Sequence, residues 1–484
     1  MQTERSLSTR QQFTFALPML GVYFLIGPLS LMQGIYATYF GVTLSTMAVV
    51  LLTVRLFDAV TDPLIGYISD RQYACSGSRK NFVVSGGILM IFAGYFLFVP
   101  ADPSSVNAST QVSAIYLLVC YFAFYLSATI IVIPHMAWAS EISTTAQEKN
   151  NIFAWRVAMI SIGSLLFYFV PFLPFFETTE FTPQTLEFTA LISAFLIVPS
   201  LFLCIRAAPK TRGIAGLENP ILSTGVATHL QLAHILGNKP LLLFLLSFVS
   251  YGLSAGTFWA LSFIFITSYL DMGAHYALVA VLNMISGLLF IKVWVLVAEK
   301  IRRKFVWALG LSLVVIGTLL MVVLEPGEGN LSLLLIAYMI VGAGLVAGEV
   351  IAPVILSDII DYHQWKFKAD CCAGIYSLFM LSTKINFAIG GALAFFIAGW
   401  YGFDPSVAES SAEAIFGLRL AAIGLPVFFG LIAIIFVLRI PITKHRHNVI
   451  RRRLDDRVLR AGRAQQARIE QDQNSNSLLL EPTS

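Results

Sequence analysis

Three charged residues at helical spacing lie inside an apolar stretch near the amino terminus. Arg55, Asp58 and Asp62 are three and four positions apart, which at about 100° per residue places them on nearly one face of a helix. A charge in the hydrocarbon of a membrane costs about 3 kcal/mol or more, so each one needs a partner or a function. Arg55 can neutralise one aspartate, and the second carboxylate then needs a cation or a proton.

Neutral oxygens lie beside these carboxylates in the sequence. Thr61 offers a hydroxyl, and Pro63 frees a backbone carbonyl from its helical hydrogen bond. Two carboxylates with such oxygens suit a small, hard cation. A buried ion-pair network that binds no moving ion is the alternative interpretation of the same residues.

The composition indicates that this stretch crosses a membrane. The 484 residues are 57% hydrophobic and 12% charged, whereas soluble domains carry roughly 25% charged residues. The apolar residues fall in long runs, and a run of about 20 spans a bilayer as a helix. The sequence predicts an all-α polytopic membrane protein with 12 transmembrane helices, at residues 14–39, 44–68, 82–101, 113–140, 153–174, 185–206, 241–269, 274–298, 304–324, 331–357, 374–400 and 413–439.

The distribution of Lys and Arg is consistent with these helices. One set of connecting loops contains Arg71, Arg79, Lys80, Lys149, Lys210, Arg212, Lys300, Arg302, Arg303, Lys304, Lys366 and Lys368. The alternate loops, at 102–112, 175–184, 270–273, 325–330 and 401–412, contain neither Lys nor Arg. The positive-inside rule therefore predicts a protein of the inner (plasma) membrane with both termini in the cytoplasm.

The longest polar interruption divides the chain into two halves. We predict an amino-terminal six-helix bundle at 1–206, a cytoplasmic central loop at 207–240, a carboxyl-terminal six-helix bundle at 241–440 and a cytoplasmic tail at 441–484. The loops after the second and eighth helices are both strongly basic and occupy equivalent places in the two halves. Such internal repetition is typical of transporters whose halves rock about a central site.

Three motifs, in chain order, resemble one family of transporters. The first is RLFDAVTDPLIGYISDR, from Arg55 to Arg71. The others are Asp358-Ile-Ile-Asp361-Tyr362 followed by Gly374-Ile-Tyr-Ser377 and Lys384, and Ile133-Pro134 with Glu141 and Arg156. Together they resemble the glycoside-pentoside-hexuronide:cation symporter family, whose best-known member is the melibiose permease, within the major facilitator superfamily. The resemblance covers essentially the whole membrane part and implies the major facilitator fold.

The resemblance implies a site for Na⁺, Li⁺ or H⁺ on the second and fourth helices. Its residues would be Asp58, Asp62, Thr61 and Thr129, with Asp58 and Asp62 as the metal ligands if Na⁺ is the coupling ion. Arg156 and Lys384 match positive residues near the central cavity of the family. We expect the cytoplasmic gate to contain Asp70, Arg71, Glu141, Asp358 and Asp361.

Three positions depart from the family pattern. In the melibiose permease, acids on helices one and four bind the sugar hydroxyls, and Val22 and Val132 stand at those positions here. A pocket without these hydrogen-bonding groups disfavours a substrate that needs them, which argues against a melibiose-like galactoside. Asp370 stands where the permease has an arginine, so the pairing at the cytoplasmic gate must differ.

Two further polar residues are candidates for the substrate cavity, beside Arg156 and Lys384. Glu349 lies in the middle of the tenth predicted helix. It is a candidate second proton site or substrate contact, or a carboxyl kept neutral by burial. His135 can line the cavity and titrate near neutral pH, or it can serve packing alone.

These observations predict a secondary active transporter that couples Na⁺ or H⁺ to the symport of a small organic solute, with a sugar or sugar derivative favoured. The missing acids favour an alternative, a symporter or exporter of an amphiphilic, lipid-like solute. A non-transporting membrane receptor is the third hypothesis. Enzyme motifs such as His-Glu-x-x-His, Gly-x-Ser-x-Gly or a phosphate-binding loop are absent from the sequence.

The expected partners are the solute, the coupling cation and the lipid bilayer. We expect no cofactor other than the co-transported Na⁺ or H⁺. The net charge of +4 is mild, and its positive residues cluster in loops and tail, so nucleic acid is not an expected partner.

Overall fold

The computed structural model describes residues 7–76, 78–100, 112–142, 146–208, 237–367, 372–407, 410–441 and 450. Within these residues the chain is helical without a strand, and 12 helices are long and apolar enough to cross a membrane. They are α1 (Thr9–Tyr39), α2 (Leu44–Ser76), α3 (Lys80–Phe98), α4 (Ala114–Ile142), α5 (Ala146–Tyr168), α6 (Pro183–Ala207), α7 (Lys239–Tyr269), α8 (Tyr276–Lys300), α9 (Arg303–Leu320), α10 (Leu331–Phe367), α11 (Cys372–Trp400) and α12 (Ala412–Arg439). The predicted all-helical class is confirmed.

Several helices run farther than predicted on the side of the membrane that holds the basic loops, which we call the basic side. Helix α2 continues to Ser76 and α10 to Phe367, whereas the predicted ends at 68 and 357 follow the apolar residues alone. Those predicted ends were wrong because a helix needs no apolar face once it has left the hydrocarbon. Asp70, Arg71, Asp358 and Asp361 therefore lie on helices and not in loops.

Proline residues shape the helices that carry the predicted site. Pro18 and Pro28 lie at the breaks that divide α1 into Thr9–Ala16, Pro18–Ile26 and Leu29–Tyr39. Pro63 lies inside α2, directly after Asp62, and Pro134 lies inside α4. Because proline has no N–H, Pro63 removes one backbone hydrogen bond of α2 next to the buried carboxylates.

The two six-helix halves meet most closely on the side opposite the basic loops, which we call the non-basic side. Gly34 of α1 packs against the ring of Phe263 on α7, and Gly399 of α11 packs against Ser45 of α2. A Cβ atom at Gly399 would lie 2.8 Å from Ser45 Oγ, so a larger residue at this position would force Ser45 to move. The hydroxyl of Thr179 also donates a hydrogen bond of 2.7 Å to the carbonyl of Ala274 across the halves.

The buried apolar residues follow the same division. One large cluster runs through the amino-terminal half and continues into the non-basic ends of α7 to α12, where it includes Phe263, Tyr276 and Phe395. A second cluster lies at the basic ends of the carboxyl-terminal helices and includes Phe244, Trp307 and Ile359. The halves therefore share one apolar core on the non-basic side.

The predicted boundaries of the halves stay a prediction. Helix α6 ends at Ala207 and α7 begins at Lys239. Most of the predicted central loop and tail, and Asp370 with them, lie outside the described residues.

Candidate cation and substrate sites

Asp58, Asp62 and Thr129 form one cluster inside the amino-terminal half. The two aspartates lie one turn apart on α2, and Asp58 is 5% exposed. The hydroxyl of Thr129, on α4, lies 3.2 Å from Asp58 Oδ1 and 2.9 Å from Asp62 Oδ1. The hydroxyl therefore bridges two carboxylates, and the three residues present five side-chain oxygens to one small volume.

Lys384 completes this cluster from the other half of the chain. Its ammonium, on α11, lies 3.5 Å from Asp58 Oδ2 and contacts Asp62 Oδ2 directly. Lys384, which we predicted to line the substrate cavity, places its charged group on the carboxylate pair. An ammonium has a single positive charge and occupies the position that a coupling cation would need.

Arg55 supplies the second positive charge. Its Nη1 lies 3.7 Å from Asp58 Oδ2, and its guanidinium stacks over the ring of Tyr125 at 4.3 Å from the centroid. With Arg55 and Lys384 both present, two carboxylates face two cations. The expected unpaired carboxylate is therefore compensated by Lys384, and an added cation has to displace a positive side chain.

Thr61 is not brought together with these groups. Its hydroxyl is buried and donates a hydrogen bond of 3.3 Å to the carbonyl of Asp58, on its own helix. Of the two threonines that the resemblance assigns to the cation site, only Thr129 contacts the carboxylates. The spacing of residues in the sequence does not determine which rotamer the Thr61 side chain adopts.

Arg156 lies in a separate buried position on α5. The side chain is 4% exposed, and no ion pair joins it to a described carboxylate. Its Nη2 lies 3.7 Å from the sulfur of Met19, and its Nη1 has no hydrogen-bond partner within the described chain. A buried guanidinium without a carboxylate partner is costly. Val22 of α1 is fully buried and leaves no acid there.

His135 and Glu349, the remaining predicted cavity residues, lie apart from the aspartates. His135 is fully buried, its Nε2 lies 2.9 Å from the carbonyl of Phe15, and its ring stacks on Phe15 at 4.4 Å. These contacts describe a packing histidine. Glu349 contacts Tyr251 of α7, with 3.2 Å between Oε1 and the hydroxyl. The four predicted cavity residues therefore occupy four different environments.

The acidic residues of the predicted gate are held inside their own halves. Arg79 joins α2 to α4, with its Nη2 2.6 Å from Asp70 Oδ1 and 2.7 Å from Glu141 Oε1. Its Nη1 also donates a 2.6 Å hydrogen bond to Ser69. Burial opposes the charge of Arg79, but the hydrogen bonds to Glu141 and Asp70 outweigh burial and raise the pKa of its guanidinium. Sequence reasoning placed Arg79 in a basic loop and missed this role.

The carboxyl-terminal half repeats this arrangement. Arg303, at the start of α9, donates hydrogen bonds of 2.7 and 2.5 Å to the carboxylate of Asp358 near the end of α10. Arg79 directly precedes the third helix of its half and Arg303 is the first residue of the third helix of the other, and this shared position is the signal that would have identified both. Asp361 lies one turn beyond Asp358, and Arg71 is exposed on the surface of α2.

A small cavity lies between the halves next to Arg55. Its volume is about 90 Å³, and helices α1, α2, α4, α7 and α11 all contribute to its wall. The polar and aromatic groups that face it are Ser30, Gln33, Arg55, Tyr125 and Trp259. Gln33 and Tyr125 were not expected to face a cavity, because one polar residue in an apolar helix has no distinctive spacing.

Comparisons with known proteins agree with this architecture. The family model described as MFS/sugar transport protein matches residues 14–444. The "Uncharacterized symporter YnaJ" of Bacillus subtilis is 22% identical over 434 residues, covering 87% of this chain and 89% of the relative. The "Glucuronide carrier protein homolog" of Escherichia coli is 23% identical over 438 residues, covering 90% and 92%.

Solved structures show the same fold. The nucleoside transporter NupG matches with a TM-score of 0.61 at 13% identity, covering 89% of this chain and 99% of that chain. The predicted major facilitator fold and the prediction of a sugar or sugar-derivative symporter, and not an enzyme, are thereby confirmed. The chain belongs to the MFS/sugar transport protein family of membrane transporters.

Proposed function

We propose that this symporter uses Na⁺ or H⁺ as its coupling cation and carries an anionic sugar derivative of the hexuronide class. The observation that carries the coupling part is the cluster of Asp58, Asp62 and Thr129 with the ammonium of Lys384. We further propose that the basic side faces the cytoplasm and that the protein lies in the inner membrane, as the positive-inside rule predicts.

The coupling mechanism follows from competition for the same oxygens. A cation that binds between Asp58 and Asp62 has to displace the ammonium of Lys384, which belongs to α11 of the other half. Cation binding therefore releases an ion pair between the halves, and the halves can then move relative to each other. One positive charge moving through about 100 mV supplies about 2.3 kcal/mol. At about 1.4 kcal/mol per tenfold, this supports roughly 50-fold accumulation.

Arg156 supports an anionic solute. Its buried guanidinium has no carboxylate partner among the described residues, and Val22 and Val132 stand where acids would bind sugar hydroxyls. A carboxylate on the solute would satisfy the guanidinium with charge-assisted hydrogen bonds. The similarity to a relative that is named a glucuronide carrier homolog supports the same substrate class.

Proteoliposomes test both parts. Uptake of radiolabelled methyl β-glucuronide would be measured after a pH jump, with and without a Na⁺ gradient, and methyl β-galactoside would serve as the uncharged control. We expect gradient-driven accumulation of the glucuronide in preference to the galactoside. Equal uptake of both sugars would contradict the assignment of an anionic solute. Uptake that is the same with and without the pH gradient and the Na⁺ gradient would contradict cation coupling.

An amphiphilic solute remains a second candidate, favoured by the apolar residues Val22 and Val132. It predicts that a lysolipid, but not a sugar, competes with cation-dependent uptake in the same vesicles. Competition by methyl β-glucuronide and not by the lysolipid would rule it out.

A further inference from the structure

Glu349 and Tyr251 form an isolated polar pair in the carboxyl-terminal half. Glu349 lies within the membrane part of α10, and Tyr251 projects to it from α7. The tyrosine hydroxyl lies 3.2 Å from Glu349 Oε1 and 3.0 Å from the carbonyl of Leu345, one turn earlier on α10. The pair is separate from the cluster of Asp58, Asp62 and Lys384.

The number of hydrogens available to this pair indicates whether Glu349 is protonated. A tyrosine hydroxyl has one hydrogen, and a carbonyl oxygen can only accept. When Tyr251 donates to the carbonyl of Leu345, its oxygen can accept a hydrogen bond from Glu349, but only a protonated carboxyl has a hydrogen to donate. An ionised Glu349 would instead compete with Leu345 for the single hydrogen.

The two contacts of the Tyr251 hydroxyl differ in length. Its oxygen lies 3.2 Å from Glu349 Oε1, a separation that does not by itself tell the donor from the acceptor. The shorter contact of the tyrosine is the one to Leu345, at 3.0 Å. The hydrogen of Tyr251 is therefore best placed on the Leu345 carbonyl, which leaves the contact to Glu349 for a carboxyl hydrogen.

Charges on the neighbouring helices do not compensate an ionised Glu349. Tyr251 is the titratable group that faces it from α7. Lys292 on α8 forms no ion pair with it within the described chain, and Arg303 on α9 is paired with Asp358 instead. An uncompensated carboxylate in the membrane is costly, whereas a proton neutralises it without a further partner.

We propose that Glu349 and Tyr251 form a second proton-binding site, in the carboxyl-terminal half and independent of the Asp58–Asp62 cluster. The proton resides on the Glu349 carboxyl, which donates to the hydroxyl oxygen of Tyr251, while that hydroxyl donates to Leu345. The inference does not depend on the solute or on the coupling cation. It adds a group that can take up or release H⁺ in the half that lacks the aspartate cluster.

Infrared spectroscopy of the purified protein in liposomes tests this site without any solute. The C=O stretching band of protonated carboxyls would be followed through a pH titration in H₂O and D₂O. We expect Glu349→Gln to remove one titrating component of the band that the parent protein shows at neutral pH. The matched change Glu413→Gln, at an exposed position at the start of α12, should leave the band unchanged. Identical spectra for the parent and Glu349→Gln would overturn the proposal.

Tyr251→Phe gives a second test that keeps Glu349 in place. If the carboxyl donates to Tyr251, loss of the acceptor destabilises the acid form, and the titration midpoint of the band should move to lower pH by about half to one unit. If the tyrosine donates to a carboxylate, the midpoint should move to higher pH. A shift to higher pH, or no shift, would overturn the proposed pair even if Glu349→Gln failed to fold.

Discussion

The ammonium of Lys384 and the carboxylate of Asp62 form an ion pair that joins the carboxyl-terminal half of the chain to the amino-terminal half. The same ammonium lies 3.5 Å from Asp58. A positive side chain from one half is thus seated on the acidic site of the other. A cation bound between the two aspartates would therefore use the same oxygens as this contact between the halves.

Lys384→Gln is expected to increase the affinity of the site for its coupling cation about tenfold, equivalent to about 1.4 kcal/mol, because the cation no longer competes with an ammonium. Binding of radioactive Na⁺ and proton uptake by the purified protein would measure this. The matched variant Lys292→Gln removes a lysine of α8 that forms no ion pair within the described chain, and should change nothing. Equal affinities in both variants would contradict the competition.

Asp58→Asn and Asp62→Asn are each expected to abolish gradient-driven accumulation and to leave energy-independent exchange of solute. An amide cannot bind a proton or supply the negative charge that a cation needs, but the solute pathway remains. Accumulation and exchange would be measured in the same proteoliposomes. Asp404→Asn, at an exposed position after α11, is the control. Undiminished uphill transport in both variants would remove the basis for cation coupling.

Thr129→Val should weaken cation binding, whereas Thr61→Val should not. The hydroxyl of Thr129 contacts both carboxylates, but that of Thr61 donates to its own backbone. A net hydrogen bond contributes about 1 kcal/mol, so we expect roughly fivefold weaker binding for Thr129→Val. Isothermal titration with Na⁺, or a proton-binding titration, would compare the two. Equal losses would mean that the two hydroxyls have the same role.

Arg156→Met is expected to raise the thermal stability of the protein in detergent and to abolish its stabilisation by methyl β-glucuronide. Replacing a buried charge that has no partner by an apolar side chain of similar size removes its desolvation penalty, which is about several kcal/mol per ion. Saturating solute stabilises a binding-competent protein by about 2.7 kcal/mol at 100 times its Kd. Unfolding curves with and without the solute would show both effects. Arg206→Met, at an exposed position on α6, should change neither.

Arg79→Ala is expected to destabilise the amino-terminal half by about 3 kcal/mol or more, because it leaves two carboxylates without their shared partner. The side chain is 5% exposed and contacts Asp70, Glu141 and Ser69. Arg71→Ala removes an exposed arginine from the same end of α2 and should have little effect. Thermal unfolding in detergent would compare them. A similar loss for both variants would contradict the network.

The helix count and the common helix of Arg55, Asp58 and Asp62 could be predicted from the sequence, because membrane length and helical spacing are local properties. The role of Lys384 could not, since 326 positions separate it from Asp58. Only the packing of α11 on α2 brings them together. Its assignment to a substrate cavity stays a prediction, and the structure adds an ion pair with Asp58 and Asp62 that the sequence did not indicate.

The gate illustrates a second limit of sequence reasoning. Asp70, Glu141 and Asp358 were expected to matter, but their partners Arg79 and Arg303 look like ordinary residues of basic loops in the sequence. The hydrophobic pattern also ended α2 and α10 too early, because it reports where a helix leaves the hydrocarbon and not where the helix stops. Charged residues beyond that point are then mistaken for loop residues.

The two halves share an apolar core on the non-basic side, and this core should make the movement of the halves about the central site depend on temperature. Opening that side to water would expose buried side chains such as Phe263 and Tyr276. Exposing apolar surface to water raises the heat capacity strongly. The free-energy cost of the exposure therefore does not vary linearly with temperature, and it becomes smaller on cooling. The equilibrium between the states open to the basic side and to the non-basic side should therefore depend non-linearly on temperature. The turnover rate, which depends on this equilibrium, should give a curved Arrhenius plot.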